Sequence, residues 1–330
     1  MSRFQNILVY AEAADDASFE QIVALAREQG ARLSVCDVIT PPPAVLDSEG
    51  TVSRLKAVNW ELAFEGLRTL CAPHSKAIDI DYTVLTGVPF LAVTEQVMQQ
   101  GFDLVVHLSP QPESAGLNPT GMHLMRKCPS AVWSLPVTSA PRRPANIVIA
   151  VDRNLSGSGA TTDALVLAQT AAASSVAAGD GARLHLVHGW RPYGEEWLSH
   201  CRADLSAEEI ERYVAAQARD HELWFSALAE TLAREVPDCV IEQHLRRGHG
   251  PDVVASLVAE TGADLVVMGT IGTSIVPGVL IGTSAEAILS RTRTSVLALK
   301  PTSFTSPLRF GSTPIAGAFA SDATTSRSTV

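Results

Sequence analysis

Positive charge is in short supply in this sequence: 25 Lys and Arg stand against 35 Asp and Glu, a formal net charge of −10. A chain without a basic excess lacks the field that gathers a nucleic-acid backbone or an anionic membrane surface, so both drop out as default partners. Long apolar runs are also missing; none approaches the ~18 residues of a membrane span. The five cysteines are odd in number and scattered, with no C-x-x-C pair. They imply no disulfide framework and read as reduced thiols. The opening segment, Met-Ser-Arg-Phe-Gln-Asn-Ile-Leu-Val-Tyr, is soon followed by acidic residues and has no secretory pattern. The expectation is a soluble cytoplasmic protein.

Catalytic signatures are equally scarce. There is no G-x-x-x-x-G-K-[ST] phosphate loop, no H-E-x-x-H, no kinase set and no Ser/His/Asp elbow. Gly157-Ser-Gly159 gives a G-x-G, but Thr162 stands at the third glycine position of the dinucleotide fingerprint and no acid follows at the required distance. Ser156-Gly-Ser-Gly-Ala-Thr is faintly similar to the S-G-G-x-D-S loop of pyrophosphate-binding synthetases, without its Asp. Glu286 and Asp264 read as helix surface and strand start, so no general base is assigned.

What is present is a regular alternation. The apolar run Ile7 to Tyr10 is followed by Asp15-Asp16, an amphipathic stretch from Phe19 to Arg27 and Gly30, the pattern of strand, turn and capped helix. Runs at 33–39, 78–85, 104–108 and 131–135 read as further strands, and 52–70 and 91–98 as helices. Strands alternating with helices imply a parallel sheet covered on both faces, because parallel neighbours need crossover connections.

The second half repeats the first in the same order. Asn6-Ile-Leu-Val is echoed by Asn146-Ile-Val-Ile, Ala31-Arg-Leu by Ala182-Arg-Leu, and Gly101-Phe-Asp-Leu-Val-Val by Gly262-Ala-Asp-Leu-Val-Val. Ser130-Ala-Val-Trp-Ser-Leu-Pro is paired with Ser295-Val-Leu-Ala-Leu-Lys-Pro, so the offset grows from 140 to 165 as loops lengthen. This is a tandem duplication: domain one at 1–137, a Pro-rich linker, domain two at 145–301, and a tail at 302–330 that docks over 304–310 and is partly disordered beyond.

The segment most telling for function runs from Leu265-Val-Val-Met-Gly through a glycine-rich loop to Gly282-Thr283-Ser284-Ala-Glu-Ala-Ile-Leu. A buried strand ending in glycines before a helix start lies at the carboxyl edge of a parallel sheet, where ligands of such folds bind. Glycines let backbone N–H groups reach an anion, and the helix start adds its positive end. The chemistry implied is phosphate binding.

Gly269-x-x-Gly272, nine residues, then Gly282-Thr283 resembles the G-2x-G-9x-G-(S/T) nucleotide signature of the universal stress protein family, and the duplicated chain resembles its tandem E-type members. The resemblance extends to 123–133 of the first half and to Leu299-Lys-Pro with the 304–308 tail. It implies an α/β fold of two tandem Rossmann-like domains of the adenine nucleotide alpha hydrolase-like kind, each a five-stranded parallel sheet flanked by helices. It implies ATP as ligand, with ADP or AMP as competitors and Mg2+ as companion ion. Carried over by residue, Gly269, Gly272, Gly282, Thr283 and Ser284 surround the phosphates, Asp152 lies on the nucleoside side, Val187 offers its backbone to adenine, and Met268 is counted with them as nucleotide-binding.

Two departures qualify the likeness. Thr273 stands where the family often has a basic residue, and no Lys or Arg occurs from Gly269 to Leu289, so a triphosphate would depend on amides, hydroxyls and a metal ion. The first half has lost the glycine spacing in 105–120, and the Asp152 counterpart falls near Tyr10 or Ala11. Domain one is therefore expected to be a structural or partner-binding copy.

His185 and His188, three apart on a strand, fall on opposite faces and cannot share an ion, so no metal site is assigned. Arg246 and Arg247, between His244 and His249, read as a solvated strand end more readily than as phosphate ligands. Trp190, Trp197 and Trp224 read as core packing or a lid. Three functions stay open: a nucleotide-binding stress regulator acting through conformation on an unidentified protein partner, a slow ATPase or nucleotidyl transferase on the same loop, and a scaffold without nucleotide whose repeats form an intramolecular pseudo-dimer able to dimerise further.

Overall fold

A computed structural model describes residues 4–41, 50–110, 116–137, 143–153, 159–177, 182–195, 206–270, 282–310 and 320–321. In the first half, strand β1 (Asn6–Tyr10) is followed by helix α1 (Asp16–Gln29), β2 (Arg32–Ile39), α2 (Thr51–Cys71), β3 (Ile80–Thr86), α3 (Pro89–Gln100), β4 (Leu104–Ser109), α4 (Pro119–Lys127) and β5 (Ala131–Pro136). The second half runs β6 (Asn146–Ala150), α5 (Gly159–Val176), β7 (Arg183–Trp190), α6 (Ala207–Glu235), β8 (Val240–Arg247), α7 (Gly250–Thr261), β9 (Leu265–Gly269), α8 (Thr283–Leu289) and β10 (Ser295–Leu299). A two-residue strand, β11 (Ala320–Ser321), pairs antiparallel with β3.

The first half orders its strands β3-β2-β1-β4-β5, the second β10-β9-β6-β7-β8, which is the same topology read from the other side. Within each half all pairs are parallel. The halves are not separate sheets. β5 and β10 pair antiparallel, Leu297 opposite Trp133, and fuse everything into one 11-stranded sheet.

Local chemistry repeats along with topology. Asp103 accepts from the N–H groups of Gln5 and Asn6 at 2.7 and 3.1 Å, and Asp264 accepts from those of Ala145 and Asn146 at 2.9 and 3.0 Å. Each aspartate thus pins the start of its half's first strand. The preceding helices end at Gly101 and Gly262, whose φ of 67° and 59° lie in the left-handed region that costs other residues strain. Successive strand residues feed opposite faces: Ile7 and Val9 join one apolar core, Leu8 and Tyr10 the other.

One expected pairing is corrected. Leu104 aligns with Ala131, and Leu265 with Ser295, so the counterpart of Ser295 is Ala131, not Ser130. The register is forced by burial, since a one-residue slip exchanges faces: Trp133 and Leu297 share one core, Val132 and Val296 the other. Among the described residues no helix is long and apolar enough to cross a membrane.

Candidate functional site

The carboxyl ends of β6, β7 and β9 converge with the start of α8. Met268 is buried at the end of β9, followed by Gly269. The N–H of Gly282 donates to the carbonyl of Thr270 at 2.8 Å, so the two outer parts of the glycine motif, separated by eleven residues of chain, are tied together. Gly272 and the rest of 271–281 lie outside the described residues. Gly282 caps α8 with φ −69° and ψ 148° and no side-chain cap. Thr283 and Ser284 follow at the helix start, both exposed.

Asp152 follows β6. The surrounding protein raises its carboxyl above the ordinary aspartate value; the backbone N–H of Arg153 and the nearby His221 act in the opposite direction. Val187 is fully buried, and its carbonyl accepts from the N–H of Val151 at 3.0 Å. Beside it His188 uses both ring nitrogens: Nδ1–H donates to the Val151 carbonyl at 3.1 Å, and Nε2 lies 3.0 Å from His221 Nδ1. His221 stacks on Trp190, and Trp224 meets His188 edge-on. Burial pushes both histidines below the ordinary value, which favours neutral rings. Arg153 closes the rim through Asp220 at 2.6 Å and lies over the Trp224 ring. Trp190 and Trp224 therefore pack a histidine pair, while Trp197 falls outside the described residues.

The basic residues farther along are spoken for. Arg246 makes a two-pronged contact with Glu260 at 2.7 Å per prong, and Arg247 pairs with Glu195 at 2.5 Å. Glu286 pairs with Arg126 of the first half.

The same place in the first half is built differently. The bond from Ala11 N–H to the Cys36 carbonyl matches the one from Val151 to Val187, so the counterpart of Asp152 is Glu12, two positions beyond Tyr10. The sequence comparison missed it because the strand echo stops at Val9. Likewise His107 stands for Met268, and Asn118, the cap of α4, for Gly282. These three are bonded together: Glu12 Oε2 accepts from His107 Nε2 at 2.5 Å and from Asn118 Nδ2 at 3.0 Å. Burial raises the Glu12 carboxyl, but these two bonds overcome it and leave it below the ordinary value. These side chains bond to one another where the second half presents a methionine and a glycine, while His107 Nδ1 is buried without a partner among the described residues.

The family model for the universal stress protein family matches residues 145–300. Universal stress protein E of Escherichia coli K12 is 27% identical over 231 residues, 67% of each chain. Universal stress protein E of Photorhabdus laumondii is 22% identical over 325 residues, 94% of this chain and 99% of that one. Among solved structures, a functionally unknown protein from Pseudomonas aeruginosa PAO1 aligns with TM-score 0.57 at 20% identity, covering 91% and 93%. A universal stress protein from Archaeoglobus fulgidus aligns with TM-score 0.58 at 12% identity, covering 90% and 96%.

Proposed function

The second half of the chain is a universal stress protein domain and the whole is a tandem protein like universal stress protein E; on that premise we propose that it binds one adenine nucleotide, at the carboxyl edge of β6, β7 and β9, and serves the stress response as a regulator through conformation or a protein partner. The observation that carries this reading is the contrast between the halves. Where Glu12, His107 and Asn118 fill the first, Asp152, Met268 and Gly282 leave glycine backbone at the second.

Gly282 sharpens the argument. Its φ of −69° is open to any residue, so backbone conformation does not account for a glycine there, whereas close approach of a ligand does. Thr270 Oγ1 adds a buried hydroxyl without a hydrogen-bond partner among the described residues, beside the motif. These groups fit a phosphate: N–H donors and hydroxyls at Thr283 and Ser284, beside Gly282 whose own N–H is held by Thr270, with Asp152 placed for a ribose hydroxyl. With Val187's carbonyl held by Val151, adenine would meet the chain just past that residue along β7. The loop from 269 to 289 has no Lys or Arg, so Mg2+ would supply the charge neutralisation that ATP needs and AMP does not.

The test is equilibrium binding of ATP, ADP and AMP, with and without Mg2+, to the chain and to Gly282→Val. Saturable binding of about one nucleotide per chain, lost in the variant with the fold retained, is expected; undiminished binding by the variant sinks the assignment. Turnover that depends on metal and vanishes in the same variant would mark the slow ATPase, and no nucleotide binding at all the scaffold.

A further inference from the structure

His185 lies early in β7, far along the strand from the carboxyl edge, and faces the opposite side of the sheet from His188. Its direct neighbour on β8 is Glu242, and His244 follows two residues on, so all three share a face. Val187, on that same face, packs in one core with Val253, Val254 and Leu257 of α7. The three polar side chains therefore sit between the sheet edge and a helix, in a place where apolar residues would be the norm.

Their geometry is close. His185 Nδ1 is 3.2 Å from His244 Nε2 and 3.3 Å from Glu242 Oε2, and a ligand atom from each residue lies within 4.8 Å of the others. A four-coordinate ion with bonds of about 2.0–2.1 Å holds its ligand atoms about 3.3 Å apart. A single proton on Nδ1 cannot serve two acceptors pointing at it, whereas a cation between the three serves all of them. His185 is 4% exposed, and its Nε2 has no hydrogen-bond partner.

We propose that His185, Glu242 and His244 form a binding site for a divalent transition-metal ion of the zinc class, with the fourth position left to water. Two imidazoles and one carboxylate select such an ion over Mg2+ or Ca2+, which prefer oxygen donors. Glu242 divides its oxygens: Oε1 faces Arg183 at 3.4 Å, which orients the carboxylate, while Oε2 faces the site. Arg246, two residues beyond His244 on β8, is neutralised by Glu260. Burial holds both imidazoles below the ordinary histidine value, so no proton has to be displaced at neutral pH. Glu242 and His244 are half-buried on the outermost strand, which leaves a way in from solvent. The site is remote from the glycine motif and does not depend on nucleotide.

The test uses the untagged full chain, stripped with chelator and titrated with Zn2+ by calorimetry and with Co2+ by visible absorption. About one ion per chain is expected, with a cobalt spectrum free of thiolate charge-transfer bands. Glu242→Gln and His244→Ala, both at half-exposed positions and so compatible with folding, are each expected to weaken binding at least tenfold, as is His185→Ala where it folds. No saturable binding, affinity unchanged in Glu242→Gln and His244→Ala, or a thiolate signature would overturn the proposal.

Discussion

Trp133 of β5 and Ser295 of β10 are joined across the line where the two halves meet: the buried indole N–H donates to Ser295 Oγ at 2.5 Å, and that hydroxyl lies 3.3 Å from the Ser134 carbonyl. No apolar residue can replace the serine without leaving a buried N–H unpaired. Ser295→Ala is expected to lower stability by about 1–3 kcal/mol, read as a shift in the midpoint of urea unfolding. Trp133→Phe in the same background should recover part of the loss, since it removes the orphaned donor; no recovery would deny the bond its energetic role.

The contrast between Asp152 and Glu12 gives a second expectation. Asp152→Asn should weaken adenine-nucleotide affinity about tenfold, equivalent to about 1.4 kcal/mol, whereas Glu12→Gln should leave it unchanged, because Glu12 is held by His107 and Asn118. Calorimetric titration of both variants decides it. Equal effects would mean that the halves are functionally alike.

Lys300 supplies a pH dependence. Its Nζ is buried without a hydrogen-bond partner near the Phe304 ring, and burial pushes the amine from the ordinary 10.5 down to about 8, with Cys128 opposing. Below about pH 8 the folded chain carries a buried charge at full cost. Between that pH and the unfolded value the unfolded chain binds more protons, so this group's contribution to stability rises with pH. Lys300→Met should thus stabilise the protein by about 2–3 kcal/mol at neutral pH, an advantage that shrinks as pH climbs towards about 10.5. Denaturant melts of both proteins across that range check the sign.

Gly189 marks a close approach. A Cβ there would stand 2.7 Å from Gly250 Cα and 3.2 Å from Val253 Cβ, so β7 and the start of α7 would have to part. Gly189→Ala is expected to cost about 1–3 kcal/mol, measured by thermal unfolding, while Gly250→Ala, with its nearest neighbour at 4.0 Å, should cost less.

Much of this architecture was legible in the sequence because it rests on local chemistry. Apolar runs gave the strands, Gly30 the end of α1, and Gly101-Phe-Asp103 with Gly262-Ala-Asp264 the repeat. The fused sheet was not legible: the pattern of β5 declares a buried strand but not which edge it will meet, and its partner β10 lies 162 residues away at the Trp133–Ser295 contact. The grouping of His185 with Glu242 and His244 was not legible for a related reason. Inspecting His185 against His188 compared neighbours in sequence, while the partners of His185 are Glu242 and His244, across a strand pair. The signal available was the alternation Glu242-x-His244 on a predicted strand, a polar face where an apolar one belongs. Glu12 escaped because it lies beyond the strand, where repeat echoes fade.

The antiparallel meeting of β5 with β10 also sets a polarity. Every strand of the first half runs opposite to every strand of the second, so the two carboxyl edges open towards opposite poles of the molecule. The two edges are linked through the shared sheet and through contacts between the halves, among them the Arg126–Glu286 pair that bridges α4 and α8 and the bond from the Gly116 N–H to the Thr292 carbonyl at 3.0 Å. The duplication has thereby set two equivalent edges facing opposite ways, the first of them closed on itself by Glu12, His107 and Asn118.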